Sequence, residues 1–293
     1  MKRLFLLCCC LAAAVPFSAR GESLERALRA VTDSVRATVG VAVVFGDGDT
    51  LAVNGGRCYP MLSVCKFHQA LAVLDRLDRR GLPLTTRIPV RRSDLLPGTW
   101  SPLREACPGC GRFTVAELLT YSVAQSDNNV CDVLFRFLGG TEAVDRYIAG
   151  LGIGETVIVA DEEMMHRHTD NQYLNRTTPL AAVRLLELFR RGELLSAAYG
   201  DFLLETMFAT ETGPDKLRGL LPADVAVAHK TGSSDRDGRG VKIADNDIGI
   251  VRLSDGRSYS IAVFVMDSRE DDRTNAAVIA RISRLVCDYA ARR

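Results

Sequence analysis

The chain has one tryptophan, four histidines and almost no net charge: 37 basic against 36 acidic side chains leave +1. So even a balance supplies no broad field to steer nucleic acid or an anionic membrane, and neither is expected as a stable partner. The histidines are badly placed for metal. His166 and His168 stand two apart, which suits no common helical ligand pair, and His68 and His229 read as structural. There is no G-x-S-x-G string, so an ordinary α/β-hydrolase triad is not supported. Beyond the N-terminus no apolar run is long enough to cross a bilayer, and no internal repeat or low-complexity segment appears.

The N-terminus reads as an export signal over residues 1–20. Lys2 and Arg3 supply the charge, Leu4 to Val15 a short apolar core, and Pro16 to Gly21 a cleavage zone. Cleavage near Ala19 leaves Phe17 where a small residue is preferred, so the cut itself stays open. Cys8, Cys9 and Cys10 raise the possibility of a lipid anchor, against which Leu7 argues. The expected destination is the periplasm, where disulfides are permitted. Cys107-Pro108-Gly109-Cys110 could close a small ring; redox chemistry or half a zinc site are the alternatives. No second such pair accompanies it, and no metal is expected. Cys65 and Cys131 fall within helical patterns and read as buried small hydrophobes.

At 293 residues the chain can bury a large core. Residues 23–36 have helical spacing, with Leu24, Leu28, Val31 and Val35 on one side. Strands follow at Val39–Phe45 and Thr50–Asn54, joined through Gly46-Asp47-Gly48-Asp49. Helical segments are suggested at 62–79, 114–122, 127–138, 141–149 and 178–190. Strand signals return at 225–231, 246–254 and 258–267, and a helix over 271–291 closes the chain. Strands at both ends and helices between them predict an α/β (α+β) fold. An antiparallel sheet flanked by the terminal helices would span 21–57 and 208–293, with an all-α domain at 58–207 inserted in it. A site would form in the cleft between the two bodies.

Three short motifs carry chemistry. Ser63-Val64-Cys65-Lys66 opens an amphipathic segment and sets a hydroxyl and an amine on one helical face. Alone it reads as an N-cap and a solvated lysine. With a base nearby it is an activated nucleophile, with the helix N-terminus favouring negative charge. Ser126-Asp127-Asn128 reads alone as a capping cluster. Lys230-Thr231-Gly232 ends a strand with a point charge for a carboxylate, a hydroxyl, and a glycine that permits close approach.

In that order and at that spacing, the three motifs resemble the penicillin-recognising serine enzymes, and within them the class A serine β-lactamases. The resemblance covers essentially the whole chain after the signal. It implies Ser63 as nucleophile, with Lys66 or a water held by a glutamate as acylation base. It implies Ser126 as proton relay to the leaving nitrogen, Asn128 as holder of the substrate amide, and Asp127 as brace of its loop. Lys230, Thr231, Gly232 and Ser233 would bind substrate, with the backbone N–H groups of Ser63 and Ser233 as oxyanion hole. Trp100 occupies a Pro-bounded loop where the family places an aromatic cleft wall; a surface-packed ring is the alternative.

The family's usual E-P-E-L-N string is absent. The chain reads Asp161-Glu162-Glu163-Met164-Met165-His166, then Asn175-Arg176-Thr177-Thr178-Pro179. This resembles a subgroup with a lengthened loop that includes broad-spectrum cephalosporinases. Matching on Met165 and Thr-Thr-Pro makes Glu162 the base that activates water, with Glu163 as fallback. His166 then stands where asparagine is usual, and Asn175 supports the loop. The expectation is a monomeric β-lactam hydrolase acting on cephalosporins and penicillins without metal or organic cofactor. A D-alanyl-D-alanine carboxypeptidase or transpeptidase is the near alternative. A non-catalytic β-lactam sensor or peptidoglycan-binding protein is the alternative of another kind.

Overall fold

The computed structural model describes residues 17–109 and 111–293, with side chains from residue 23 onward. Most of the expected signal peptide, and Cys110, on which the possible small ring depends, lie outside the described residues. In chain order the elements are α1 (Phe17–Thr32), β1 (Thr38–Phe45), β2 (Thr50–Val53), β3 (Tyr59–Pro60), α2 (Cys65–Arg80), β4 (Arg87–Val90), α3 (Pro102–Ala106), β5 (Gly111–Thr114), α4 (Val115–Leu119) and α5 (Asn128–Leu138). Then come α6 (Thr141–Gly150), α7 (Glu162–Arg167), β6 (Arg176–Thr177), α8 (Pro179–Arg190), α9 (Ala197–Phe208), β7 (Ala226–Ser233), β8 (Lys242–Arg252), β9 (Ser258–Ser268) and α10 (Asp272–Ala291).

Five strands form one antiparallel sheet in the order β2-β1-β9-β8-β7. Side chains alternate between its faces. Val39, Val41, Val43 and Phe45 join Ile261, Val263 and Val265 beneath α1 and α10. Ala42, Val44, Ala262 and Phe264 face α2, α5 and α8 in the larger core. Both faces are covered, so the strands read as almost continuous apolar runs rather than alternating ones. β7 is an outer strand, and that leaves one of its edges for the site.

The main elements match the sequence reading, and the differences have local causes. α1 ends at Thr32 rather than near residue 36. The Thr32 and Ser34 hydroxyls donate to the carbonyls of Arg29 and Val31, competing with the next helical turn. Val35 still packs on the core, but from the following loop. The helix expected over 62–79 begins with a tight turn, Leu62–Val64, before α2. The one expected over 114–122 stops at Leu119 and widens into a π turn, Thr120–Ala124. The interior segment is not purely helical: β3 pairs with β6, and β4 with β5. Cys65 and Cys131 are fully buried, as their helical positions suggested.

Candidate active site

Ser63 sits on a turn held from three sides. Upstream, β3 pairs with β6, and Met61 N–H donates to the Asn175 carbonyl at 2.8 Å. From the sheet, the buried Asn246 side chain donates to the carbonyls of Pro60 (2.8 Å) and Met61 (3.2 Å). The third side is β7. A Cβ on Gly232 would run into the Met61 carbonyl oxygen and lie 3.0 Å from Val64 N and 3.2 Å from Ser63 N. The close approach that requires this glycine is therefore to the Ser63 turn itself. Leu62, just before the serine, has φ of 46°, a left-handed conformation unusual for a branched side chain. Such strain persists only where the surroundings over-determine the backbone, as they do here.

Three residues after Ser63, at the start of α2, Lys66 is completely buried. Its Nζ donates to Ser63 Oγ at 2.6 Å and to Asn128 Oδ1 at 2.7 Å. It also lies 2.6 Å from Glu162 Oε1, an ion pair off the hydrogen-bonding direction. Two of its N–H bonds are spent on Ser63 and Asn128, and the carboxylate pairs with the same ammonium through charge. Burial is the largest single influence and opposes the charge, but the Glu162 carboxylate together with the neighbouring groups holds the Lys66 pKa above the usual lysine range. The resting amine is thus an ammonium. To accept a proton from Ser63 it must first pass one on, and Glu162 is the adjacent acceptor.

Ser126 occupies the turn before α5, also left-handed with φ of 61°. Asp127 caps α5 by accepting from Val130 N (2.9 Å). The same carboxylate accepts from Leu103 N (2.7 Å) and from the Ser101 hydroxyl (3.0 Å), tying the helix start to the loop that carries Trp100. Asn128 N–H donates to the Trp100 carbonyl at 3.0 Å. The Trp100 ring is 57% exposed, and its N–H donates to the Gln125 carbonyl at 2.8 Å. It stands beside the Ser126 turn with most of its surface free.

Across from that turn, the buried Lys230 donates from Nζ to Ser126 Oγ (2.9 Å) and to the Thr231 carbonyl (2.8 Å). Burial, then the nearby Lys66 charge, lowers its pKa to about 7. Thr231 Oγ1 shares a hydrogen bond with Thr212 Oγ1 at 2.6 Å. Ser234 N–H donates inward to the Ala244 carbonyl on β8. N–H directions alternate along a strand, so the Ser233 N–H points off the outer edge of β7, towards the side where Gly232 meets the Ser63 turn. His229 and His68 are buried beneath the site, His229 against Asp247 at 2.9 Å and His68 against the Val64 carbonyl at 3.2 Å.

Glu162 is the first residue of α7, and it is buried; Glu163 is exposed and pairs instead with Arg167 at 2.6 Å. The structure thus brings Glu162, and not the fallback Glu163, to Lys66. Asp161 caps the helix through Met164 N (2.8 Å). Asn175 closes the loop: its Oδ1 accepts from Val159 N and Ala160 N, both at 2.9 Å, and its Nδ2 donates to the Ala160 carbonyl at 2.7 Å. His166 Nδ1 bonds the Glu162 carbonyl at 2.8 Å, and Nε2 lies 3.1 Å from Thr99 Oγ1.

Sequence reasoning missed Asp132 and Asn246. The Asp132 carboxylate on α5 accepts from Glu162 N (2.8 Å) and Glu163 N (3.1 Å). Burial pushes that carboxyl up to about 7 despite the two bonds. An acid one turn after Asn128, inside an apolar helix, was the available signal. Nothing in the strand pattern singled out Asn246.

Comparisons with known proteins identify the family. The family model described as the beta-lactamase enzyme family matches residues 23–290. A β-lactamase of Bacteroides uniformis is 47% identical over 267 residues, covering 90% of each chain. The extended-spectrum β-lactamase PER-1 of Pseudomonas aeruginosa is 41% identical over 275 residues, 93% of this chain and 89% of its own. The crystal structure of the TLA-3 extended-spectrum β-lactamase matches with a TM-score of 0.91 and 46% identity, covering 92% of this chain and 98% of that one. Strained serine turn, buried lysine–glutamate pair and edge-strand lysine therefore stand in a chain that belongs to the β-lactamase enzyme family, among its class A members.

Proposed function

We propose that this enzyme opens the amide of β-lactam antibiotics by acyl transfer to Ser63 and releases the product by hydrolysis. The substrate carboxylate docks on Lys230, Thr231 and Ser126, and its acylamino group meets Asn128 and the strand edge at Ser233. Trp100 forms a wall. Ser63 Oγ attacks the strained carbonyl carbon, and the oxyanion is held by the N–H groups of Ser63 and Ser233. The serine proton passes to Lys66 or to a water held by Glu162. That proton is then relayed through Ser126 to the departing ring nitrogen, leaving the base and Ser126 as they began. In the second half Glu162 takes a proton from water, the hydroxide adds to the ester carbon, and the bond to Ser63 breaks as its oxygen is reprotonated. No metal or organic cofactor enters either half.

One observation carries this reading: a buried ammonium within 2.7 Å of a serine hydroxyl, a side-chain amide and a carboxylate at once. A transpeptidase needs the first two but has no use for a carboxylate that activates water. The extended-spectrum names of PER-1 and TLA-3 favour cephalosporins as substrates, with penicillins also accepted. Class A β-lactamases are typically exported, and the periplasm, with the enzyme as a monomer, completes the proposal. The sheet with α1 and α10, and the helical body between β2 and β7, are read as the two bodies whose cleft holds substrate.

The test is hydrolysis of a chromogenic cephalosporin by the wild type and by Glu162→Gln, with mass spectrometry of the protein. The wild type turns over; the variant gains the mass of one opened drug on Ser63 and keeps it. Unchanged turnover by Glu162→Gln would overturn the assignment of the base. A wild type that is labelled without turnover would mark a sensor or a transpeptidase.

A further inference from the structure

The loop before Trp100 faces the helix that carries Glu162. Between them lies a cavity of about 270 Å³, bounded by Leu96 to Thr99 on one side and by Glu162 and His166 on the other, with Asp132 also lining it. Among the described residues one side-chain hydrogen bond spans the gap, from Thr99 Oγ1 to His166 Nε2. Thr99 is engaged twice, because Asn128 Nδ2 donates to the same oxygen at 2.7 Å.

The donors can be counted. Asn128 uses its amide nitrogen on Thr99, so the Thr99 oxygen accepts there and its own proton is free for His166 Nε2. His166 Nδ1 faces the Glu162 carbonyl, which can only accept, so that nitrogen carries the ring proton. With Lys66 bonded to Asn128 Oδ1 and paired with Glu162, the contacts close a ring: Lys66, Asn128, Thr99, His166, Glu162. Asn128 keeps a second N–H for a substrate carbonyl. Whatever turns that amide also turns the Thr99 hydroxyl, and through it the helix bearing Glu162.

We propose that Thr99 is a positioning residue that makes ester hydrolysis depend on the acylamino side chain of the substrate. This rests on the roles given above to Asn128 and Glu162. A β-lactam whose amide engages Asn128 holds the ring of contacts in register and Glu162 in place. A substrate with a bare amine does not, and is deacylated from a looser arrangement.

The experiment compares wild type, Thr99→Val and Thr99→Ser on two cephalosporins, one with an acylamino side chain and one with the free 7-amine. Deacylation is followed directly by the decay of acyl-enzyme in the mass spectrum. Thr99→Val should slow deacylation of the acylamino substrate about three- to tenfold, the size of one or two hydrogen bonds, and leave the amine substrate within about twofold. Thr99→Ser should behave as wild type. Equal slowing of both substrates, or of neither, overturns the proposal. If Thr99→Val does not fold, His166→Phe cuts the same bridge from the other side and must show the same split. Glu162→Gln run in parallel separates the two ideas: trapped ester there, with no split in Thr99→Val, removes the coupling and keeps the base.

Discussion

The Asp132 carboxylate accepts the backbone N–H of Glu162 at 2.8 Å, so that one acid on α5 holds another at the start of α7. The arrangement suits a helix N-terminus, where free N–H groups need acceptors and favour negative charge. It also means that Glu162 is placed by its backbone as well as by Lys66.

Asp132→Ala should therefore lower stability by about 1–3 kcal/mol, since two N–H donors lose their partner. Deacylation should slow more than acylation, because Ser63 and Lys66 do not touch Asp132. Denaturant unfolding and acyl-enzyme decay read the two effects. Equal loss in both chemical steps would show that Asp132 serves the whole cleft rather than α7.

Removing Lys66 should be expensive. Lys66→Ala leaves the Glu162 carboxylate buried without its cation, a change that typically destabilises by about 3–5 kcal/mol. The double variant Lys66→Ala/Glu162→Gln should recover part of this, since no uncompensated charge then remains. Chemical denaturation at neutral pH decides it; additive losses would mean that water already compensates the carboxylate.

Lys230 gives activity and stability opposite pH responses. Its pKa is lowered to about 7 from an ordinary 10.5. Above pH 7 the folded protein loses that proton and with it the cation proposed to hold the substrate carboxylate. The kcat/KM for an anionic cephalosporin should fall, approaching about tenfold per pH unit. Between about 7 and 10.5 the unfolded chain binds the proton and the folded chain does not, so this group's contribution to stability rises with pH across that window. Lys230→Arg, which stays charged, should flatten the activity profile above pH 7. A wild-type profile already flat from pH 7 to 9 contradicts the assignment.

Gly232→Ala places a methyl group against the Met61 carbonyl and the Val64 amide. Both partners are backbone, so β7 or the Ser63 turn must shift. Acylation should drop about a hundredfold, since misplacement of about 1 Å has that effect, while the fold persists. Stopped-flow acylation set beside a thermal melt reads this; retained acylation would show that the turn can yield.

Much of the fold was legible because its signals are local. Runs such as Thr38–Phe45 and Ser258–Ser268 read as buried strands from their β-branched content and flanking turns, and caps such as Asp127 and Asp271 mark helix starts within a residue. α9 was missed because it is apolar nearly all round and has no clean stripe to read. The short α3 and α7 carry too few turns to show periodicity.

For the site, the sequence by itself determined which groups are present and which are close neighbours along the chain: Ser63 and Lys66 one helical turn apart, Ser126 and Asn128 in one turn, Lys230 and Gly232 on one strand. Residue spacing dictates such neighbours. The sequence preferred Glu162 to Glu163 by matching alone; only the tertiary structure separates the two adjacent, chemically identical carboxylates in space. One is buried against Lys66 and the other faces Arg167, because Asp132 and Asn175 set the path of the loop. It also decided why Gly232 must be small, and that Thr99, Asn128 and His166 meet. Those contacts join segments far apart in the chain, and their geometry comes from packing that no local pattern encodes.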